Sequence, residues 1–228
     1  PISNRVHALL SRFFRWCVER DLIEASPMAG LSKPAKERSR DRVLAPAELR
    51  AIWKAAEVIG YPGGPLVRLL MLTGSRLSEV ANLTKSQIGK DVLNLPETKN
   101  GRPCVVPLTR QARDVLEALP RFEGPHVLTT TAGRRPISNF SDIKVALDRE
   151  SGVKDWVLHD LRRTAASGMA ELGVAPHVIE AVLNHQTGAV SGIARVYNRF
   201  DYAAEKRLAL ERWAAEVKRI VASKGRPS

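Results

Sequence analysis

The tetrapeptide Lys99-Asn100-Gly101-Arg102 sits between two short apolar runs, Val92-Leu93-Asn94-Leu95 and Cys104-Val105-Val106-Pro107-Leu108. Asn-Gly readily takes the two positive-φ positions of a tight turn, so this pattern dictates an antiparallel hairpin. Almost everywhere else apolar residues recur every three or four positions, the period of helices. Ile2, Val6, Leu9, Leu10, Phe13, Cys17 and Val18 mark an amphipathic helix over roughly residues 2–20. Pro46 opens another that runs to about Ala56, with Leu49, Ile52 and Trp53 on one face. A loop from Gly60 to Pro65 leads to a nearly all-apolar helix, Leu66 to Leu72, which Thr73-Gly74-Ser75 breaks. A short helix then carries Arg76, Glu79 and Val80. Further helices are expected over 110–119, 138–150, 160–172, 176–184 and 202–222, with a short strand near 126–129. The fold class is therefore mainly α with a small antiparallel β-sheet (α+β).

Residues 33–42 interrupt this pattern with Lys33, Lys36, Arg38, Arg40 and Arg42 and few apolar groups, which reads as a basic linker. The domain organisation that follows is a helical stub over 1–32, the linker 33–42, and a main domain over 43–228 ending in a tail helix. The chain starts at Pro1, without a methionine, and is read as a piece of a longer protein. Its 228 residues carry 36 Lys+Arg against 24 Asp+Glu, a formal charge of +12. A basic chain with 44% hydrophobic residues is a globular protein suited to a polyanion rather than a disordered tail. No run approaches the roughly 18–20 apolar residues that cross a bilayer, so no membrane partner is expected. Two cysteines, Cys17 and Cys104, make no disulfide framework, and a reducing cytoplasm is the expected compartment.

The five histidines and two cysteines show no zinc-binding spacing. No glycine-rich turn follows a strand in the order that phosphate or dinucleotide loops require. No nucleophile elbow is present. The expected chemistry needs no metal and no cofactor. Four segments remain. Leu72-Thr73-Gly74-Ser75-Arg76-Leu77-Ser78-Glu79 puts an arginine at a helix start behind a glycine turn. Lys99 rims the hairpin. His159-Asp160-Leu161-Arg162-Arg163 sets His159 and Arg162 three apart on one helical face. Leu183-Asn184-His185 is followed by Tyr197, twelve residues after His185. Singly, each reads as a surface ion pair, a solubilising lysine, a structural histidine or a core aromatic.

In this order they resemble the tyrosine recombinases, and in particular phage- and genomic-island-type integrases, over nearly the whole chain. The family's ordered signature falls on Arg76, Lys99, His159 with Arg162, His185 and Tyr197. The Tyr197-to-Tyr202 segment and Trp213 resemble the island-integrase subgroup. The His185–Tyr197 spacing is longer than that common in the bacterial Xer recombinases. The resemblance implies that residues 1–32 end a core-binding domain and that the rest is the catalytic domain. It implies cleavage and rejoining of DNA strands through a 3′-phosphotyrosine, with integration or excision of a mobile element. The partners it implies are double-stranded DNA attachment sites, other protomers in a synaptic tetramer, and accessory bending or excision factors, with a monomer in isolation. The place of action would be the bacterial cytoplasm, at the nucleoid.

The residue types suit that chemistry. Two guanidiniums, Arg76 and Arg162, match the charge on the non-bridging oxygens of a five-coordinate phosphate. Lys99 is the candidate general acid for the leaving 5′-oxygen, and His159 the candidate base for Tyr197. His185 would donate to a non-bridging oxygen, and Glu79 would orient Arg76. Tyr202 is the fallback nucleophile, and Tyr61 lies in a loop remote from the motifs. Lys33, Lys36, Arg38, Arg40 and Arg42 are candidates for the DNA backbone. The tail helix packs either on its own domain or on a neighbouring protomer, and the resemblance favours the protomer once a DNA synapse forms. Two alternatives stay open: a type IB topoisomerase-like enzyme, and a non-catalytic DNA-binding or architectural protein.

Overall fold

The computed structural model describes residues 2–36, 40–96, 103–184 and 201–223. It divides into two units, Pro1–Asp41 and Arg42–Ser228. In the first, helix α1 (Ile2–Val18) is tied to the chain that returns beside it. The Asn4 side chain donates to Ala35 O at 2.8 Å and accepts from Ala35 N–H at 3.0 Å. His7 Nε2 donates to Leu31 O at 3.0 Å. The apolar stripe read from the sequence is only partly covered: Cys17 is buried, whereas Ile2, Leu9 and Phe13 are exposed.

The second unit is built on α2 (Pro46–Ile59) and α3 (Gly63–Thr73). Every residue of α3 except Arg68 is buried, as its all-apolar sequence requires. This helix starts earlier than the sequence reading placed it, absorbing Gly63, Gly64 and Pro65 from the expected loop. The reason is steric. A Cβ on Gly64 would lie 2.0 Å from Ala56 O, so the two glycines let α3 begin directly against α2. Pro65 fits the first helical turn, where no N–H is needed. Then come α4 (Leu77–Ala81), strands β1 (Val92–Leu95) and β2 (Cys104–Pro107), and α5 (Arg110–Glu117). The chain continues with α6 (Phe140–Ser151), α7 (Leu158–Glu171), α8 (Pro176–Leu183) and α9 (Ala203–Ala222).

β1 and β2 pair antiparallel, from Val92 opposite Pro107 to Leu95 opposite Cys104. The Asn100-Gly101 turn itself lies outside the described residues. The strand expected near 126–129 is absent. Only His126 bridges, to Thr84, because neighbouring backbone groups go to different partners. Val127 N–H donates to Leu83 O, Leu128 O accepts from Ile137 N–H, and Thr129 N–H finds the Tyr61 hydroxyl. Apolar character there reflects burial, not a ladder.

α9 packs on its own unit, against α2, α3, α7, α8 and β2. Trp213 is 2% exposed and its indole N–H donates to Met71 O at 2.7 Å. A Cβ on Gly168 of α7 would fall 2.1 Å from the Trp213 ring, so this glycine is the slot that admits the indole.

Candidate active site

The site grows from the glycine turn after α3. Gly74 sits in the left-handed region, at φ 62°, and its N–H closes α3 on Leu70 O. A Cβ there would be strained and would press on Leu183 at 3.2 Å and Ala165 at 3.4 Å. The turn leaves Gly74 O free to face α7, and Arg162 Nη1 donates to it at 2.7 Å. Arg162 Nη2 donates to Leu183 O, at the end of α8. The two anchors fix the guanidinium plane from opposite sides.

Arg76 heads α4. Its backbone N–H is capped by Glu79 Oε2 at 2.8 Å, and its Nη1 pairs with Glu79 Oε1 at 2.8 Å. Glu79 thus accepts from both the backbone and the side chain of Arg76. Arg76 Nη2 reaches Asn184 O at 3.1 Å, one residue beyond Arg162's anchor. Asn184 ends α8 in the left-handed region, φ 48°. Two guanidiniums 86 positions apart thus converge on the last carbonyls of one helix, where orphaned acceptors and the dipole favour cations.

Arg162 is 4% exposed, and burial together with the charge of Arg76 pushes its pKa down to about 10. Among the described residues its hydrogen bonds run to carbonyls, not to a carboxylate. Its charge is oriented but not neutralised at contact, which is the condition of a cation kept for an incoming anion. Cys104, on β2, lies in the same field. Burial pushes its thiol up, and the charges of Lys206, Arg76 and Arg162 oppose that.

His159 is exposed in the first turn of α7, while Arg162, three residues on, is interior. The sequence reading missed Asp160 between them. Asp160 is fully buried: Oδ2 caps Val157 N–H at 2.9 Å and Oδ1 accepts from Arg163 Nη1 at 2.8 Å. Its carbonyl receives the Thr164 hydroxyl, which in turn accepts from Leu44 N–H at 2.9 Å. The signal was an aspartate at the third helical position, a capping place.

Lys99, His185 and Tyr197 lie outside the described residues, as does Arg38. Tyr202 is described, and its ring sits 5.3 Å from that of His177, near the start of α8. The arginines bind the other end of that helix, about 12 Å away along eight residues. The fallback nucleophile is thus placed apart from Arg76 and Arg162. Tyr61 is structural, donating to Val127 O at 3.2 Å and accepting from Thr129 N–H at 3.0 Å. Of the basic linker, Lys33 and Lys36 are exposed and Arg40 is half-buried. Arg42 Nη2 is engaged with Glu48 at 2.5 Å.

Residues 42–203 match the phage integrase family. The chain belongs to that family. The integrase match takes in Arg76, Lys99, His159, Arg162, His185 and Tyr197 within its bounds. The chain is 28% identical over 236 residues to the prophage integrase IntZ of Escherichia coli strain K12, covering 99% of this chain and 58% of that protein. It is 31% identical over 169 residues to a shufflon-specific DNA recombinase of Escherichia coli, covering 73% of this chain and 43% of the other. The integrase-family chain thus spans about half the length of these relatives. Among solved structures, a lambda integrase (75-356) dimer bound to a COC′ core site superimposes with TM-score 0.66 at 20% identity, covering 82% of this chain and 73% of that one. At that identity the likeness establishes the fold: a mainly helical integrase domain with a small antiparallel sheet. Among the described residues, no helix is long and apolar enough to cross a membrane.

Proposed function

We propose that this chain is the catalytic part of a site-specific DNA recombinase that cuts and rejoins strands through a 3′-phosphotyrosine. The observation that carries the reading is the convergence of Arg76 and Arg162 on the end of α8, held by carbonyls of Gly74, Leu183 and Asn184. From Asn184 the chain runs directly into His185 and on to Tyr197. A phosphate bound by the two guanidiniums would have its non-bridging charge met by planar, permanently ionised donors.

In the proposed reaction the Tyr197 oxygen attacks phosphorus while the bond to the 5′-oxygen breaks. The phenol proton passes to His159, and Lys99 supplies the proton that the leaving 5′-oxygen takes up. His185 donates to a non-bridging oxygen. The phosphotyrosine keeps the bond energy, so a 5′-hydroxyl reverses the step with the same atoms and rejoins the strand. Residues 1–32 are assigned as the end of a core-binding domain and 33–42 as a linker that follows the DNA backbone. The partners proposed are duplex attachment sites, further protomers in a synaptic tetramer, and accessory bending or excision factors.

The test is a nicked suicide duplex, on which cleavage traps the enzyme. The expected result is a covalent adduct that disappears in Tyr197→Phe, with peptide mapping placing the linkage on Tyr197. Salt-sensitive binding with no adduct would overturn the reading in favour of an architectural protein. Supercoil relaxation without strand exchange would favour the topoisomerase-like alternative.

A further inference from the structure

Lys206 is the one cation of α9 that is buried, at 7% exposure. It takes the first place of the helix's inward stripe, followed by Ala209, Leu210, Trp213 and Val217. Three costs meet at this position. The ammonium is withdrawn from water, it stands near the positive end of the helix dipole, and among the described residues no carboxylate pairs with it. An apolar side chain of similar length would fill the space without those costs.

What the lysine obtains is a tie to the sheet. Its Nζ donates to Val105 O at 3.1 Å, in the middle of β2. The neighbouring Arg207 Nη2 donates to Asp91 O at 3.3 Å, just before β1, and the same carbonyl receives Leu108 N–H at 2.9 Å. The start of α9 is thereby fastened to both strands. The strand that Lys206 holds also carries Cys104, which lies in the field of Arg76 and Arg162. Along the chain, Val105 follows Lys99 by six residues and Lys206 follows Tyr197 by nine. The tie thus joins the first described element after the nucleophile to the strand that follows the general acid in the chain.

We propose that Lys206 is a positioning residue for leaving-group protonation, acting through its tie to Val105 of β2, the strand that follows Lys99 in the chain. The inference rests on the recombinase reading above. It concerns a residue that never touches the phosphate, so its effect passes through Lys99.

The chemistry supplies a readout that a merely structural role would not move. A duplex whose scissile 5′-oxygen is replaced by sulfur leaves as a thiolate and needs no general acid. Cleavage by the wild-type chain, Lys206→Met and Lys99→Ala is compared on the oxygen and the sulfur suicide duplexes. The expected result is that Lys206→Met cuts the oxygen duplex about tenfold or more slowly, below the full loss of a general acid. On the sulfur duplex it should match wild type within about twofold, the pattern shared with Lys99→Ala. Its Tm should be unchanged or raised. Lys206→Gln, which keeps a donor for Val105 O, should lie between the two on the oxygen duplex.

Equal slowing of Lys206→Met on both duplexes, or no slowing on either, would overturn the proposal while leaving the recombinase reading intact. Failure of Lys206→Met to fold, with Lys206→Gln slowed equally on both duplexes, would also overturn it. Absence of any wild-type adduct on either duplex would overturn the recombinase reading and this inference together.

Discussion

At the residue scale the decisive group is Arg162. Its pKa of about 10 means that the charged form is complete throughout the pH range in which the protein works. The sign follows from linkage. Between about 10 and the ordinary arginine range the unfolded chain binds the extra proton, so stability rises with pH in that alkaline window. Below it the buried charge subtracts a constant amount, on the order of 3 kcal/mol. A bound phosphate would offset that subtraction. A lysine starts from a lower pKa than an arginine, and the same burial would bring it toward neutrality. Lysine also lacks the planar fork whose two nitrogens span Gly74 O and Leu183 O. Arg162→Lys should therefore slow cleavage by about 100-fold or more. Its residual rate should fall as pH rises through the neutral-to-alkaline range, where wild type holds. A pH–rate profile of single-turnover cleavage checks both.

At the scale of elements, the contact between α7 and α9 decides how firmly the helix that carries Arg162 is held. Gly168 leaves room for Trp213, whose indole reaches through to Met71 O. Gly168→Ala should push the ring outward and cost about 1–3 kcal/mol, read as a Tm lowered by several degrees. Elements of this kind were legible in the sequence wherever a local rule governed them. The Asn-Gly hairpin flanks, the all-apolar α3 and the Gly74 turn all formed as their residues dictate. The motif arginines were legible too, because Thr73-Gly74-Ser75-Arg76 and His159-Asp160-Leu161-Arg162 carry turn and helix signals beside the cations. What was not legible depends on contacts between distant segments. Nothing local says that Gly63 and Gly64 serve close approach rather than a loop, since the reason is Ala56 on another helix. Residues 126–129 show strand composition, but their hydrogen-bond partners come from separate loops. α9 has the pattern of an amphipathic helix, and only Gly168 and Met71 reveal that its own unit receives it. Lys206 did leave a signal, a lysine in an apolar stripe, legible only once the stripe's phase is known.

At the scale of the whole molecule, the excess of +12 far exceeds the few cations gathered at the site. Most of it is suited to the continuous charge of a DNA backbone. Binding by this 228-residue chain should then be weak and steeply salt-dependent. If some 6–10 phosphates are contacted, affinity should drop by about 10³ or more between about 50 and 200 mM salt. A fluorescence-anisotropy titration across that range checks it, and nanomolar binding insensitive to salt would contradict it. Arg162 holds the carbonyls of two buried residues, Gly74 and Leu183, on separate elements. Removing it relieves a desolvation cost and strands two acceptors at once, so the change in stability is the difference of two opposing terms.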